Sequence, residues 1–176
     1  MDLSSFIRTV PDFPRPGIGF KDITPLLQDP AAFDHCLKEL LRLCPPDTFD
    51  AVLGIEARGF LFGAPLAHLA GRPFAPARKP GKLPWRTLSR SYQLEYGTDS
   101  LQVHADAFPA GARVLIVDDL LATGGTLLAA VQLVRDLDAR PSAVACVVEL
   151  AFLPGRARLE AQGLTVHGLV RVENET

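Results

Sequence analysis

Apolar residues recur along this chain in two rhythms, and the switches between them lay out the fold. Residues 51–55, 113–117, 143–150 and 165–170 are short, nearly unbroken apolar runs, as expected of strands buried on both faces. Between them Phe33, Leu37, Leu40, Leu41 and Cys44 fall at helical spacing, and 60–70 and 125–137 read as helices too. Punctuation agrees: Asp29 and Pro30 suit a helix start, Pro45 and Pro46 a stop, and Gly71 a C-cap. Residues 2–9 predict a short helix with Phe6 and Ile7 as apolar contacts, ended by Pro11. Residues 12–28, broken by Pro14, Pro16, Gly17, Gly19 and Pro25, predict an apolar loop that packs across something. Residues 73–78 read as extended and 79–88 as a loop. Residues 91–96 and 100–104 predict a hairpin around Gly97, Thr98 and Asp99. The GRARLE stretch late in the chain reads as a helix.

Strands alternating with helices predict an α/β domain with a mostly parallel central sheet. The stretch 79–104 interrupts that alternation and is expected to project from the core as a mobile flap. Length fits one domain over 1–176, and 48% hydrophobic residues exclude a disordered chain.

Charge narrows the function classes. A net charge of −2 offers no basic surface for a nucleic-acid backbone, so no nucleic-acid partner is expected. A compact anion remains possible, because a few cations and backbone N–H groups can hold one. Cys36, Cys44 and Cys146 are odd in number and far apart, which suits neither a disulfide framework nor zinc. His35, His68, His104 and His167 lack metal-ligand spacing. No apolar run reaches the ~18 residues of a membrane span, and no basic-then-apolar leader is seen. A cytoplasmic protein without a membrane partner is the expectation.

The strongest chemical signal is VLIVDDLLATGGT, Val114 to Thr126. An apolar strand ends in Asp118 and Asp119, and Gly124, Gly125 and Thr126 open the next helix. In parallel sheets ligands bind beyond the C-terminal strand ends. A helix start offers free N–H groups and a positive dipole end to an anion. Thr123 and Thr126 add hydroxyl donors, and the carboxylates suit the hydroxyls of an attached sugar. Together they spell a ribose 5-phosphate, although paired acids there also read as a solvated turn. No lysine follows as in a Walker A loop. Arg58, in the turn Glu56-Ala57-Arg58-Gly59, could fork onto a second phosphate group or be a surface arginine. Arg78, Lys79 and Lys82 form a basic cluster that suits a polyanion or simply a solvated face.

VLIVDDLLATGGT resembles the ribose-phosphate motif of the type I phosphoribosyltransferases. FPRPGIGFKDITPLL (13–27), GIEARGFLFGAPLA (54–67), RKPGKLP (78–84) and SYQLEYGTDSL (91–101) resemble, in order, the branch of that family that uses adenine. The resemblance implies a three-layer α/β fold with an N-terminal hood over about 11–28 and a flexible catalytic loop over about 80–100. It implies transfer of the 5-phosphoribosyl group of 5-phospho-α-D-ribose 1-diphosphate (PRPP) to adenine, giving AMP and diphosphate. Asp118 and Asp119 would hold the ribose hydroxyls, and Ala122, Thr123, Gly124, Gly125 and Thr126 the 5'-phosphate. Glu56, Ala57, Arg58 and Gly59 would form the diphosphate loop, with a cis peptide after its first residue, joined by Arg78, Lys79 and Lys82. Gly19, Phe20 and Lys21 would cover the adenine; the family often has arginine where Lys21 stands. Arg78 would reach the neighbouring subunit's diphosphate site, which implies a homodimer. Magnesium would be held mainly through PRPP, with no direct protein ligand.

Within that chemistry Glu95 is the expected acid–base residue, Arg58 the residue at the leaving group, and Tyr96 a brace on the loop. Attack by a purine nitrogen needs proton traffic, and no histidine lies in these segments. Two rivals accompany this reading: a sister transferase for hypoxanthine, guanine or xanthine, and a non-catalytic PRPP-sensing regulator.

Overall fold

The computed structural model describes residues 1–93 and 98–174. Five parallel strands form the central sheet: β3 (Ala51–Ile55), β4 (Phe74–Ala77), β7 (Arg113–Leu121), β8 (Arg140–Leu150) and β9 (Thr165–Val172), in the order β4-β3-β7-β8-β9. Their apolar runs serve two cores. On β7, Val114 and Ile116 join one core while Leu115 and Val117 join the other. The first face is covered by α4 (Gly125–Asp136) and α5 (Gly155–Glu160), and the second by α2 (Pro30–Leu43) and α3 (Gly59–Ala70). This double burial is why the strands read as continuous apolar runs. The result is the three-layer α/β architecture the pattern predicts.

The helix ends follow the sequence punctuation. Asp29 Oδ1 accepts from Ala31 N and Ala32 N at 3.0 and 2.9 Å, and Pro30 opens α2 where no N–H is required. Gly71 closes α3 with φ 63°, a left-handed cap that a side chain would strain. Among the described residues no helix is long and apolar enough to cross a membrane.

Four expectations need correction. Residues 2–9 are not one helix: a 3-10 turn over Leu3–Phe6 gives way to strand β1 (Arg8–Val10). The stretch 12–28 is not all loop, since it holds β2 (Phe20–Asp22) and α1 (Thr24–Gln28). Strands β1 and β2 pair antiparallel, Thr9 opposite Lys21, and are clasped by Arg8 Nη2 on Asp22 Oδ2 at 2.5 Å. Single-strand patterning misses this pair because each strand is only three residues long. Third, β7 runs past Val117 to Leu121. Its ladder to β3 ends at Gly54 opposite Val117, but its ladder to β8 continues to Leu121 opposite Glu149.

Fourth, the segment expected to project is packed down where it is described. Strands β5 (Thr87–Gln93) and β6 (Thr98–His104) pair antiparallel and lie on α4. Leu101 and Val103 are buried in the first core. Arg90 forks onto Asp136 at 2.5 and 2.6 Å, tying β5 to the end of α4. Of the loop 79–88, Trp85 is exposed.

Candidate active site

The mismatch between the two ladders of β7 opens the site. Beyond Val117 the β3 side of β7 is unpaired, because the chain leaves β3 through the turn Glu56–Gly59. Asp118 and Asp119 therefore lie within a strand held by β8, with their other flank bordering a cleft of about 300 Å³. Ile55, Glu56, Ala57 and Arg58 form one wall. Ala122, Thr123, Gly124, Gly125, Thr126 and Leu127 form another, with Lys79 and Tyr92 at the rim.

Close packing fixes the two turns against each other. A Cβ on Gly59 would stand 2.8 Å from Val117 O and 2.9 Å from Asp118 Oδ1, so only glycine lets α3 start there. Gly124 takes φ 80° before α4, Gly125 begins the helix, and Gly124 to Leu127 line the cleft, so the free N–H groups of a helix start lie at its wall. No side chain caps this helix start, so an anion can take that place. The Glu56–Ala57 peptide is cis, as the family resemblance implies.

Charges in the cleft are arranged in opposition. Arg58 Nε stands 2.8 Å from Asp119 Oδ2, and its guanidinium lies 5.2 Å from the Phe20 ring centroid. Asp119 N donates to Asp118 Oδ1 at 2.8 Å. Burial pushes both carboxyls above the ordinary carboxylate range. Asp118 rises further because Asp119 adds like charge, whereas Arg58 offsets part of the rise at Asp119. Asp119 Oδ2 is buried without a hydrogen-bond donor, an acceptor that a sugar hydroxyl would satisfy.

The basic cluster is partly committed. Glu56 accepts from Arg78 Nη2 at 2.8 Å and from Lys79 N at 2.7 Å, and this holds its carboxyl below the usual range. The Glu56 side chain thus ties the turn to Arg78 and Lys79. Lys79 Nζ donates to Tyr92 Oη at 2.7 Å and to Asp99. Lys82 offers its carbonyl to Arg78 Nη1 at 3.1 Å, and its side chain is not on the cleft wall.

The hood residues divide by strand alternation. Phe20 faces Arg58 and meets Phe13 edge-on at 5.1 Å. Lys21 points the other way, buried, with Nζ donating to Thr9 Oγ1 at 3.0 Å. Gly19 leads into β2. Glu95 and Tyr96 lie outside the described residues.

Sequence reasoning overlooked Tyr92 and Asp99, which flank Lys79, and Leu120 and Leu127 on the cleft wall. Tyr92 carried one signal, an aromatic in an alternating strand; the others carried none. Among the described residues no group of three or more histidine, cysteine or acidic side chains could hold a metal by itself. Two carboxylates beside an anion cradle instead fit a cation carried mostly by ligand phosphates and water.

Comparison with known proteins agrees with this geometry. A model of the phosphoribosyl transferase domain matches residues 23–164. The adenine phosphoribosyltransferase of Roseiflexus castenholzii is 54% identical over 159 residues, covering 90% of this chain and 92% of that relative. The crystal structure of adenine phosphoribosyltransferase from Thermoanaerobacter pseudethanolicus superposes with a TM-score of 0.93 at 50% identity, covering 97% of this chain and 98% of that one. The enzyme of Saccharomyces cerevisiae, crystallised with D-2,5-dideoxy-2,5-imino-altritol 1,6-bisphosphate and adenine, gives 0.88 at 40% identity, with 96% of each chain covered.

Proposed function

Because the chain belongs to the adenine phosphoribosyltransferase family, we propose that it transfers the 5-phosphoribosyl group of PRPP to adenine, releasing AMP and diphosphate. The observation that carries this reading is the cleft itself. An uncapped helix start, the adjacent carboxyls of Asp118 and Asp119 and an arginine-bearing turn converge there at the C-terminal ends of β3 and β7.

In this reading the N–H groups of Thr123 to Thr126 bind the 5'-phosphate. Asp118 and Asp119 accept from the ribose hydroxyls, and the orphaned Asp119 Oδ2 is the acceptor most in need of one. Arg58 turns its fork onto the diphosphate as charge develops on the leaving oxygen. Lys79, already at the rim, adds a cation, and Arg78 reaches the partner subunit's diphosphate in a homodimer. Phe20 stacks on adenine, with Gly19 and Lys21 contributing backbone. Glu95 moves the proton at the imidazole ring of the base, and Tyr96 braces the loop that carries it. Magnesium would be held by PRPP oxygens beside Asp118 and Asp119, where it offsets the charge of the leaving diphosphate. A cytoplasmic setting suits three cysteines that are free and buried.

Closing the site around PRPP excludes the water that would hydrolyse it. Adenine should be strongly preferred, because a site that pairs with the 6-amino edge leaves a buried group unsatisfied against a 6-oxopurine. The test is incubation with PRPP, Mg²⁺ and adenine, hypoxanthine, guanine or xanthine in turn, following nucleotide formation. Turnover with hypoxanthine comparable to that with adenine would replace the reading. PRPP binding without any nucleotide product would leave a sensor.

A further inference from the structure

The wall behind the phosphate loop is built from α5, which no step above employs. Gly155 opens that helix so close under the loop that a Cβ on it would lie 2.1 Å from Ala122 O. A Cβ on Gly124 would lie 3.1 Å from Gly155 Cα. Arg158 Nη1 donates to Thr123 O at 2.8 Å. Three consecutive loop residues therefore rest on the first turn of α5, while their opposite side lines the cleft.

The Arg158 contact has a directional consequence. The Thr123–Gly124 peptide is trans, so its C=O and N–H point opposite ways. With Thr123 O turned to Arg158, the Gly124 N–H is turned away from α5, toward the cleft. A peptide free to rotate would present its carbonyl to the cleft for part of the time, and a carbonyl repels phosphate.

Helix α5 is itself pinned. Arg156 forks onto Glu149 of β8, with Nε to Oε1 at 2.7 Å and Nη2 to Oε2 at 2.5 Å, and Nη1 donates to Val166 O of β9 at 2.8 Å. Glu149 is only 2% exposed, and Gly168 leaves room for it: a Cβ there would meet Glu149 Oε2 at 2.8 Å. Leu159 seals the underside of α5 in the first core.

We propose that Arg158 is a positioning residue for the phosphate loop, fixing the Thr123–Gly124 peptide so that Gly124 N–H faces the 5'-phosphate. The Glu149–Arg156 pair holds α5 in place for that task. The proposal rests on reading 122–126 as the 5'-phosphate loop, and the experiment separates the two.

The measurement uses the full chain, with calorimetric Kd for AMP and for inorganic diphosphate with Mg²⁺, and steady-state KM for PRPP and adenine. Arg158 is exposed, so Arg158→Ala should fold. It should raise the AMP Kd and the PRPP KM about tenfold, the low end for a charge-assisted hydrogen bond. The adenine KM and the diphosphate Kd should stay unchanged, and Arg158→Lys should recover part of the loss. Thr126→Glu, which places a carboxylate in the loop, serves as the control on the loop's role. If Thr126→Glu weakens AMP and Arg158→Ala does not, the brace is refuted and the phosphate loop stands. If neither weakens AMP, the loop does not hold phosphate and the proposal falls with it. Equal weakening of AMP and diphosphate by Arg158→Ala would show general distortion of the cleft, which also overturns the positioning role.

Discussion

Arg58 and Asp119 face each other across the cleft, with Nε 2.8 Å from Oδ2, yet the two are not aligned as a hydrogen bond. Oδ2 receives the attraction of the guanidinium but no donor, and the guanidinium keeps its fork for another anion. The residues come from different strands: Arg58 follows β3 and Asp119 lies in β7. The pair therefore couples the turn assigned to diphosphate with the acids assigned to ribose.

Removing the arginine should affect both. Arg58→Gln is expected to weaken PRPP binding about 10- to 100-fold, as for a lost charge-assisted contact. Arg58 also opposes the effect of burial on Asp119, so without it the Asp119 carboxyl protonates more readily. The acid limb of AMP binding should then move to higher pH. Calorimetric Kd values measured from pH 5 to pH 9 decide it. An unmoved acid limb would mean that Asp119 does not sense Arg58.

Asp118 should trade stability for binding. Its folded-state carboxyl is pushed well above the ordinary value of 3.8, first by burial and then by Asp119. The folded chain thus holds that proton more tightly than the unfolded chain does. Stability falls as pH rises from near 3.8 through the raised value, and the whole penalty is present above it. Asp118→Asn removes the penalty and keeps an acceptor for Asp119 N. Its melting temperature at neutral pH should exceed that of the wild type by about 2–4 °C for each kcal/mol recovered. The gain should shrink as pH approaches 4, while the PRPP KM rises about tenfold. A variant melting below the wild type at pH 7 would show that the carboxylate is stabilised where it sits.

Gly59→Ala tests how tightly the two turns are packed. The added methyl would press on Val117 O at 2.8 Å and on Asp118 Oδ1 at 2.9 Å, and the first of these is backbone. We expect a loss of about 1–3 kcal/mol in stability, typical of overpacking, together with weaker PRPP binding. Urea unfolding alongside PRPP titration checks both. Unchanged stability would mean that the start of α3 yields easily.

Much of this site could be read from the chain because its parts are local. The helix start at Gly125 and the acids before it are neighbours in sequence, and the burial of β7 on both faces makes its apolar run conspicuous. What escaped depends on contacts between distant segments. Hydrophobicity stops β7 at Asp118, but pairing with β8 carries it on to Leu121. The three-residue strands β1 and β2 exist through each other, with Arg8 meeting Asp22. Nothing in the sequence around Gly155 announces that it lies under Ala122. Lys79 reads as one of a basic cluster suited to a polyanion or a solvated face, whereas in the fold it is also held by Tyr92 and Asp99.

Glu95 is the residue whose replacement should separate chemistry from binding. It lies between β5 and β6, outside the described residues, and its role is inferred from sequence and from elimination among the acids. Glu56 is engaged by Arg78 and Lys79, and Asp99 by Lys79. Asp118 and Asp119 are placed at the ribose in this reading. His104 and His167 lie on β6 and β9, and neither lines the cleft. No other described acid or histidine lines it, yet bond formation at the imidazole ring of adenine must shed a proton. Tyr92, three residues before Glu95 in the sequence, lies on β5 and lines the cleft. Glu95→Gln retains size and hydrogen-bonding capacity but cannot take a proton. Single-turnover AMP formation should slow by about 10²- to 10⁴-fold, the usual scale for lost acid–base help. The PRPP Kd should change little, because the phosphate and ribose contacts lie on other elements. A simple brace on the loop would behave in the opposite way, weakening PRPP retention and leaving the bond-forming step intact. Wild-type single-turnover rates across pH in Glu95→Gln would move the proton to water or to the substrate phosphates.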